Sequence, residues 1–108
     1  MTPEGKVKKF IRQHLQVMFP GSWVYCPPGG AFGRAGVPDF LILYKGVMIA
    51  IEAKADDGRP TKLQLKRLNE LKEMGCIAAI VRGENLERMD QIRKAVKEEL
   101  VKRGVETR

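Results

Sequence analysis

From Thr2 to Phe19, the apolar residues Val7, Ile11, Leu15 and Met18 recur at helical spacing and predict one inward face. Thr2 can cap this helix, Pro3 suits its first turn, and Pro20-Gly21 ends it. Lys6, Lys8, Lys9 and Arg12 fall mostly off the apolar stripe and are expected in solvent. Trp23-Val24-Tyr25-Cys26 reads as a short strand, followed by a Gly- and Pro-rich loop, PPGGAFGRAG, over residues 27–36. Two apolar strands, 37–44 and 47–54, then form a hairpin that turns at Lys45-Gly46. After the polar loop ADDGRP, Thr61 opens a helix that runs to about Met74 and is closed by Gly75. The continuous apolar run 76–81 fits a strand covered on both faces. A last helix spans about Glu84 to Arg103, with Met89, Ile92, Val96 and Leu100 as its stripe. The order α-β-β-β-α-β-α predicts an α/β fold with a mixed central sheet flanked by helices.

Length and charge narrow the field. A chain of 108 residues fits a single domain, 1–108, and supports a core without disulfides. No apolar run is long enough to span a membrane, and the first residues lack the apolar core of a signal peptide, so a cytoplasmic location is expected. The two cysteines, Cys26 and Cys76, are far apart and, with the single His14, make no zinc site. Both read as small strand hydrophobes. The net charge of +7 favours a polyanionic partner, although many soluble basic proteins share it.

The hairpin carries an anomaly. Asp39 lies in its first strand, and Glu52 and Lys54 lie in its second, although these residue types are poor strand formers and are seldom buried unpaired. If the turn is Lys45-Gly46, Tyr44 pairs with Val47, and counting outward sets Asp39 opposite Glu52. Directly paired residues have Cβ atoms roughly 4.5–5.5 Å apart. Alternation then puts Asp39, Glu52 and Lys54 on one face, and Phe40, Ile42, Tyr44, Ile49 and Ile51 on the core face. Facing carboxylates destabilise a sheet unless a proton or a cation separates them. A hard divalent cation resolves the conflict with oxygen ligands, and two or three acids suit Mg²⁺ or Mn²⁺. Such an ion can polarise a phosphate oxygen and acidify a bound water, with Lys54 beside that water as base, orienter or charge stabiliser. A bland reading stands beside this one: Lys54 simply neutralises Glu52 two residues away, or the acids face water.

The residues Pro38-Asp39 followed by Glu52-Ala53-Lys54 resemble the PD-(D/E)xK nuclease superfamily. GRAGVPDFLI (33–42), IEAKADDGRPTKLQ (51–64) and GCIAAIVR (75–82) resemble more narrowly its VRR-NUC family, in particular the short stand-alone members found in phages and prophages. The resemblance implies a restriction-endonuclease-like core and metal-dependent phosphodiester hydrolysis in a bacterial or phage-infected cytosol. It implies a site role for an acid near the start of the first helix, here Glu4, which shares the inward stripe with Val7 and Ile11. As an acid in the first turn, Glu4 also favours the helix dipole whatever its role. Gln64 matches the family's glutamine on the helix after the ExK strand and falls on the face of Leu68 and Leu71. An inward amide needs a partner, which Lys54, water or phosphate would supply. The Ala53 carbonyl is a further metal ligand of acceptable type.

The Gly-rich loop, through Gly33 and Arg34, and the cluster Arg59, Lys62, Lys66 and Arg67 are candidate DNA-backbone contacts, with solvated charges as the alternative. Stand-alone members resemble Holliday-junction resolvases, which implies branched DNA as partner and a homodimer, since two symmetric cuts suit a two-fold axis. The edge strand, the first helix and the Trp23 region are the candidate dimer surfaces. Three readings follow: an endonuclease on structured DNA such as four-way junctions, a nickase or nuclease on flaps or ends, and a non-catalytic DNA-binding protein on a degenerate nuclease fold.

Overall fold

The computed structural model describes residues 1–28 and 35–105. Gly33 and Arg34 therefore lie outside the described residues. Helix α1 (Pro3–Met18) is followed by strands β1 (Trp23–Tyr25), β2 (Phe40–Tyr44) and β3 (Val47–Lys54), helix α2 (Lys62–Glu73), strand β4 (Ile77–Arg82) and helix α3 (Leu86–Lys102). The strands form one sheet in the order β1-β2-β3-β4. β1 and β3 both run antiparallel to β2, and β4 runs parallel to β3. The α/β class and the mixed, helix-flanked sheet expected from the pattern are both present.

Helix starts follow the capping chemistry. The Thr2 side chain accepts from the Gly5 N–H at 3.0 Å, and the Asn85 side chain accepts from the Arg88 N–H at 2.9 Å. The hairpin closes on two residues with positive φ, Lys45 (49°) and Gly46 (84°), the backbone of a tight hairpin turn whose twist suits the flanking strands. Tyr44 pairs with Val47 and Phe40 with Ile51, so the register is the one counted from the turn.

Helices α1 and α3 cover one sheet face. Val7, Ile11, Leu15 and Phe19 meet Phe40, Ile42, Ile49 and Ile51 there, together with Met89, Ile92, Val96 and Leu100. Helix α2 covers part of the other face, where Leu68 sits over Ala50, Cys76 and Ala78. The alanines leave room for the helix to approach closely. Cys76 is buried as expected, and burial pushes its thiol up to about 11. Cys26 departs from expectation: it follows the end of β1 and is exposed, because the strand stops at Tyr25. No helix among the described residues is long and apolar enough to cross a membrane.

The second strand starts later than its apolar pattern suggested, at Phe40 rather than residue 37. Pro38 has no N–H to give the ladder, and Gly36 turns the chain with φ +80°. A Cβ on Gly36 would lie 2.7 Å from the Leu63 side chain on α2. The glycine thus lets the segment before Asp39 press against α2. Gly36→Ala should destabilise the chain by about 1–3 kcal/mol, combining left-handed strain with a clash, whereas Gly75→Ala, with open space around it, should cost only the strain component. Chemical denaturation of the two variants checks the difference.

Candidate active site

Asp39 stands just outside the end of β2, so its backbone is free of the ladder and its side chain takes over. Its Oδ2 accepts from the Ala53 N–H at 2.8 Å, so the carboxylate holds the end of β3 where a strand carbonyl would otherwise serve. The continuing register brings Asp39 beside Glu52. Glu52 is only 2 % exposed, and it is the only buried charged residue among the described residues. Its Oε2 is enclosed and has no hydrogen-bond partner.

Those surroundings raise the Glu52 carboxyl from 4.5 to about 9. Burial is the largest cause, followed by hydrogen-bonding contact with Asp39 and the Asp39 charge. Lys54 pulls the other way, and Glu4 adds to the rise. Without a cation, burial and the neighbouring Asp39 favour the protonated form of Glu52.

Glu4 reaches the same place from α1. Its Oε1 lies 3.5 Å from the Lys54 ammonium and its Oε2 lies 3.9 Å from Lys8. Lys8 in turn lies 3.4 Å from Asp39 Oδ1. A chain of alternating charges therefore links Lys54, Glu4, Lys8 and Asp39. Lys8 corrects the sequence reading, which left it in solvent. It follows Val7 on the margin of the buried stripe and is four residues from Glu4, and its flexible stem lets the amine turn inward. The i, i+4 spacing from Glu4 was the available signal.

Other candidates are placed differently. Gln64 has an ordinary partner: its Oε1 accepts from the Thr61 N–H at 2.9 Å, while the Thr61 hydroxyl accepts from the Gln64 N–H at 3.1 Å. This is a reciprocal cap at the start of α2, so the amide oxygen is occupied by the helix end rather than by Lys54. Arg67 is engaged too, 3.2 Å from Glu70. Arg59, Lys62 and Lys66 are exposed. Arg59 joins Arg82, which the sequence reading did not single out, in an open groove of about 650 Å³ beyond the end of β3. The groove also holds Asp56 and Asp57. Arg82 is fixed there by donating to the Gly58 carbonyl at 3.1 Å.

The donor set suits a hard divalent cation. Two carboxylates adjoin, one with a buried oxygen that lacks any partner. Among the described residues, no three His, Cys, Asp or Glu side chains converge to hold a metal ion. Glu4 is drawn instead to the two lysines. An ion that keeps several waters needs no third carboxylate.

The raised Glu52 carboxyl has a consequence for the metal-free protein. Below about pH 4.5 the group is neutral whether folded or unfolded. Between 4.5 and about 9 the folded chain keeps a proton that the unfolded chain releases, so stability falls as pH rises. Glu52→Gln should remove that slope and stabilise the metal-free chain at pH 8 by on the order of 1–3 kcal/mol. Denaturant titrations at pH 5, 7 and 9 with and without the substitution test this, and an unchanged slope rules Glu52 out as its source.

No protein-family model matches the chain, and no curated protein matches it. Solved structures do. A structure described as a VRR_NUC domain aligns at TM-score 0.62 with 24 % identity, over 90 % of this chain and 97 % of that one. Hjc of Archaeoglobus fulgidus, a Holliday junction resolvase from an archaeal hyperthermophile, aligns at TM-score 0.55 with 14 % identity, over 73 % of this chain and 67 % of that one. The acid pair thus sits in a chain whose fold is like that of the VRR_NUC domain structure and of the archaeal resolvase.

Proposed function

We propose that the chain is a divalent-metal-dependent DNA endonuclease that cuts structured DNA, with four-way junctions as the leading substrate, and that it works as a homodimer. The observation that carries this reading is the pair Asp39–Glu52. One of its oxygens is buried without a partner, which is costly unless a ligand completes it. The similarity in fold to a VRR_NUC domain and to a Holliday junction resolvase supports the same reading.

Asp39 and Glu52 would hold the ion, with the Ala53 carbonyl and Glu4 as further ligands once Glu4 leaves the lysines. Bound there, Mg²⁺ or Mn²⁺ supplies Lewis acidity and an acidified water. The chain's own groups do the rest. Lys54, mostly shielded from solvent at the mouth of the acid pair, places a positive charge where the phosphate oxygens gain negative charge. Lys8 is the second ammonium at the site, and it is free to turn from Asp39 to phosphate once a cation takes over its partner. Arg59, Lys62 and Lys66 meet neighbouring phosphates, joined by Gly33 and Arg34, which lie outside the described residues. Contacts to phosphate give position and salt dependence rather than sequence preference.

The deciding experiment is cleavage of a labelled immobile four-way junction in Mg²⁺, Mn²⁺ and EDTA, with duplex, single-strand and flap controls. Paired symmetric cuts that vanish in EDTA and in Glu52→Ala are expected. Lys54→Ala should slow cutting by roughly 10²- to 10³-fold, as for loss of one group that stabilises developing charge. Cutting of flaps or ends alone discards the junction preference. Metal-independent binding without cleavage of any substrate points to a non-catalytic DNA-binding protein.

A further inference from the structure

The sheet face that carries Glu52 is only partly covered. Helix α2 lies over Ala50 and Ala78, and among the described residues no helix packs on that face toward β1. Trp23, Tyr25, Leu43 and Met48 are 59, 44, 42 and 37 % exposed there. The register sets Trp23 beside Leu43 and Leu43 beside Met48. One row nearer the acids, Tyr25 lies beside Leu41 and Leu41 beside Ala50. The next row is Asp39 and Glu52. The rings of Trp23 and Tyr25 are nearly parallel, 13° apart, with centroids 5.8 Å apart. The core does not require them, because β1 is anchored inward by Val24.

We infer that Trp23 and Tyr25 form a stacking surface for unpaired nucleobases next to the cleaved phosphodiester, and that this surface directs the chain to DNA with unstacked bases. Its position relative to the cut rests on the nuclease reading above. The stacking itself can be measured without cleavage.

Spacing supports the assignment. One row along a strand pair is on the order of 7 Å, about two nucleotides at the ~3.4 Å spacing of stacked bases. A base on Tyr25 or Trp23 is therefore within a few nucleotides of a phosphate at Asp39 and Glu52. Charge supports it as well. At +7 the chain attracts a polyanion. The four side chains expose roughly 400 Å², about half of the ~800 Å² that each partner contributes to a stable protein interface. Flat aromatic faces that accept any base, backed by a basic protein, are the usual means of holding single-stranded nucleic acid.

Trp23 is the only tryptophan of the chain and reports directly on its own environment. The test titrates the intact protein in EDTA with a short single-stranded oligonucleotide and with an abasic oligonucleotide of equal length and charge. The base-bearing strand is expected to quench Trp23 and to bind roughly 5- to 150-fold more tightly than the abasic one. Trp23→Ala should remove most of that preference, Trp23→Phe should retain it, and Tyr25→Ala should weaken it while leaving the fluorophore in place. Thermal melts confirm that these exposed substitutions leave the fold intact. Equal affinity for the two strands, or fluorescence that ignores the bases, overturns the inference. So does a dimer in sedimentation that depends on Trp23 and shields it from the oligonucleotide, because the surface then belongs to a second copy. A chain that shows base-dependent quenching yet cuts no DNA in Mg²⁺ keeps the stacking surface and loses the nuclease reading. One that cuts DNA without such quenching does the reverse.

Discussion

The pairing of two carboxylates, one of them enclosed, at the end of one β-ladder constrains everything around them. Asp39 and Glu52 face each other, and Glu52 is sealed from water. Two like charges in that position repel, and removing a carboxylate from water adds to the cost. The chain offsets this in three ways. The Glu52 carboxyl is pushed up toward its neutral form, the Ala53 N–H donates to Asp39, and the Lys8 ammonium closes on Asp39 from α1. Each is a contact that a cation can join or replace.

The fold serves this arrangement. Helix α1 lies on the main core face, held by Val7, Ile11 and Leu15, and its first turn extends to where Asp39 precedes β2. That is how Glu4 reaches Lys54 and Lys8 reaches Asp39, residues they do not adjoin in sequence. β4 lies parallel to β3 and continues the sheet beyond Glu52, with Ile80 beside it. The Gly83 N–H then donates to the Lys54 carbonyl at 2.9 Å and fixes the end of the ExK strand. Strand β3 thus sets the backbone of Glu52 and Lys54, the Ala53 N–H ties Asp39 to it, and longer side chains from the helix complete the charge balance.

The two faces of the sheet divide the labour. One is a large apolar layer under α1 and α3 and accounts for most of the buried side chains. The other is thinner. Alanines under α2 bring that helix close, the acids occupy one end, and exposed aromatics occupy the edge.

Much of this was legible in the sequence because it rests on local rules. Apolar periodicity set the helices and their buried stripes. The turn at Lys45-Gly46 fixed the hairpin register, and the register brought Asp39 to Glu52, because strand pairing is determined by counting from the turn. Contacts between distant segments were not legible. Periodicity placed Lys8 off the buried face, and only the crossing of α1 over the end of the sheet shows that its amine meets Asp39. Gln64 was read as facing inward, yet the three-residue spacing from Thr61 gave its oxygen to an exposed helix cap. The strand reading that buried Cys26 failed because three residues of β1 sufficed to pair with β2. Sequence determined the elements, the hairpin and its acid pair, since these depend on near neighbours along the chain. Tertiary structure alone decided how deeply Glu52 is buried and which cations reach the acids, because both depend on how separate elements pack in space.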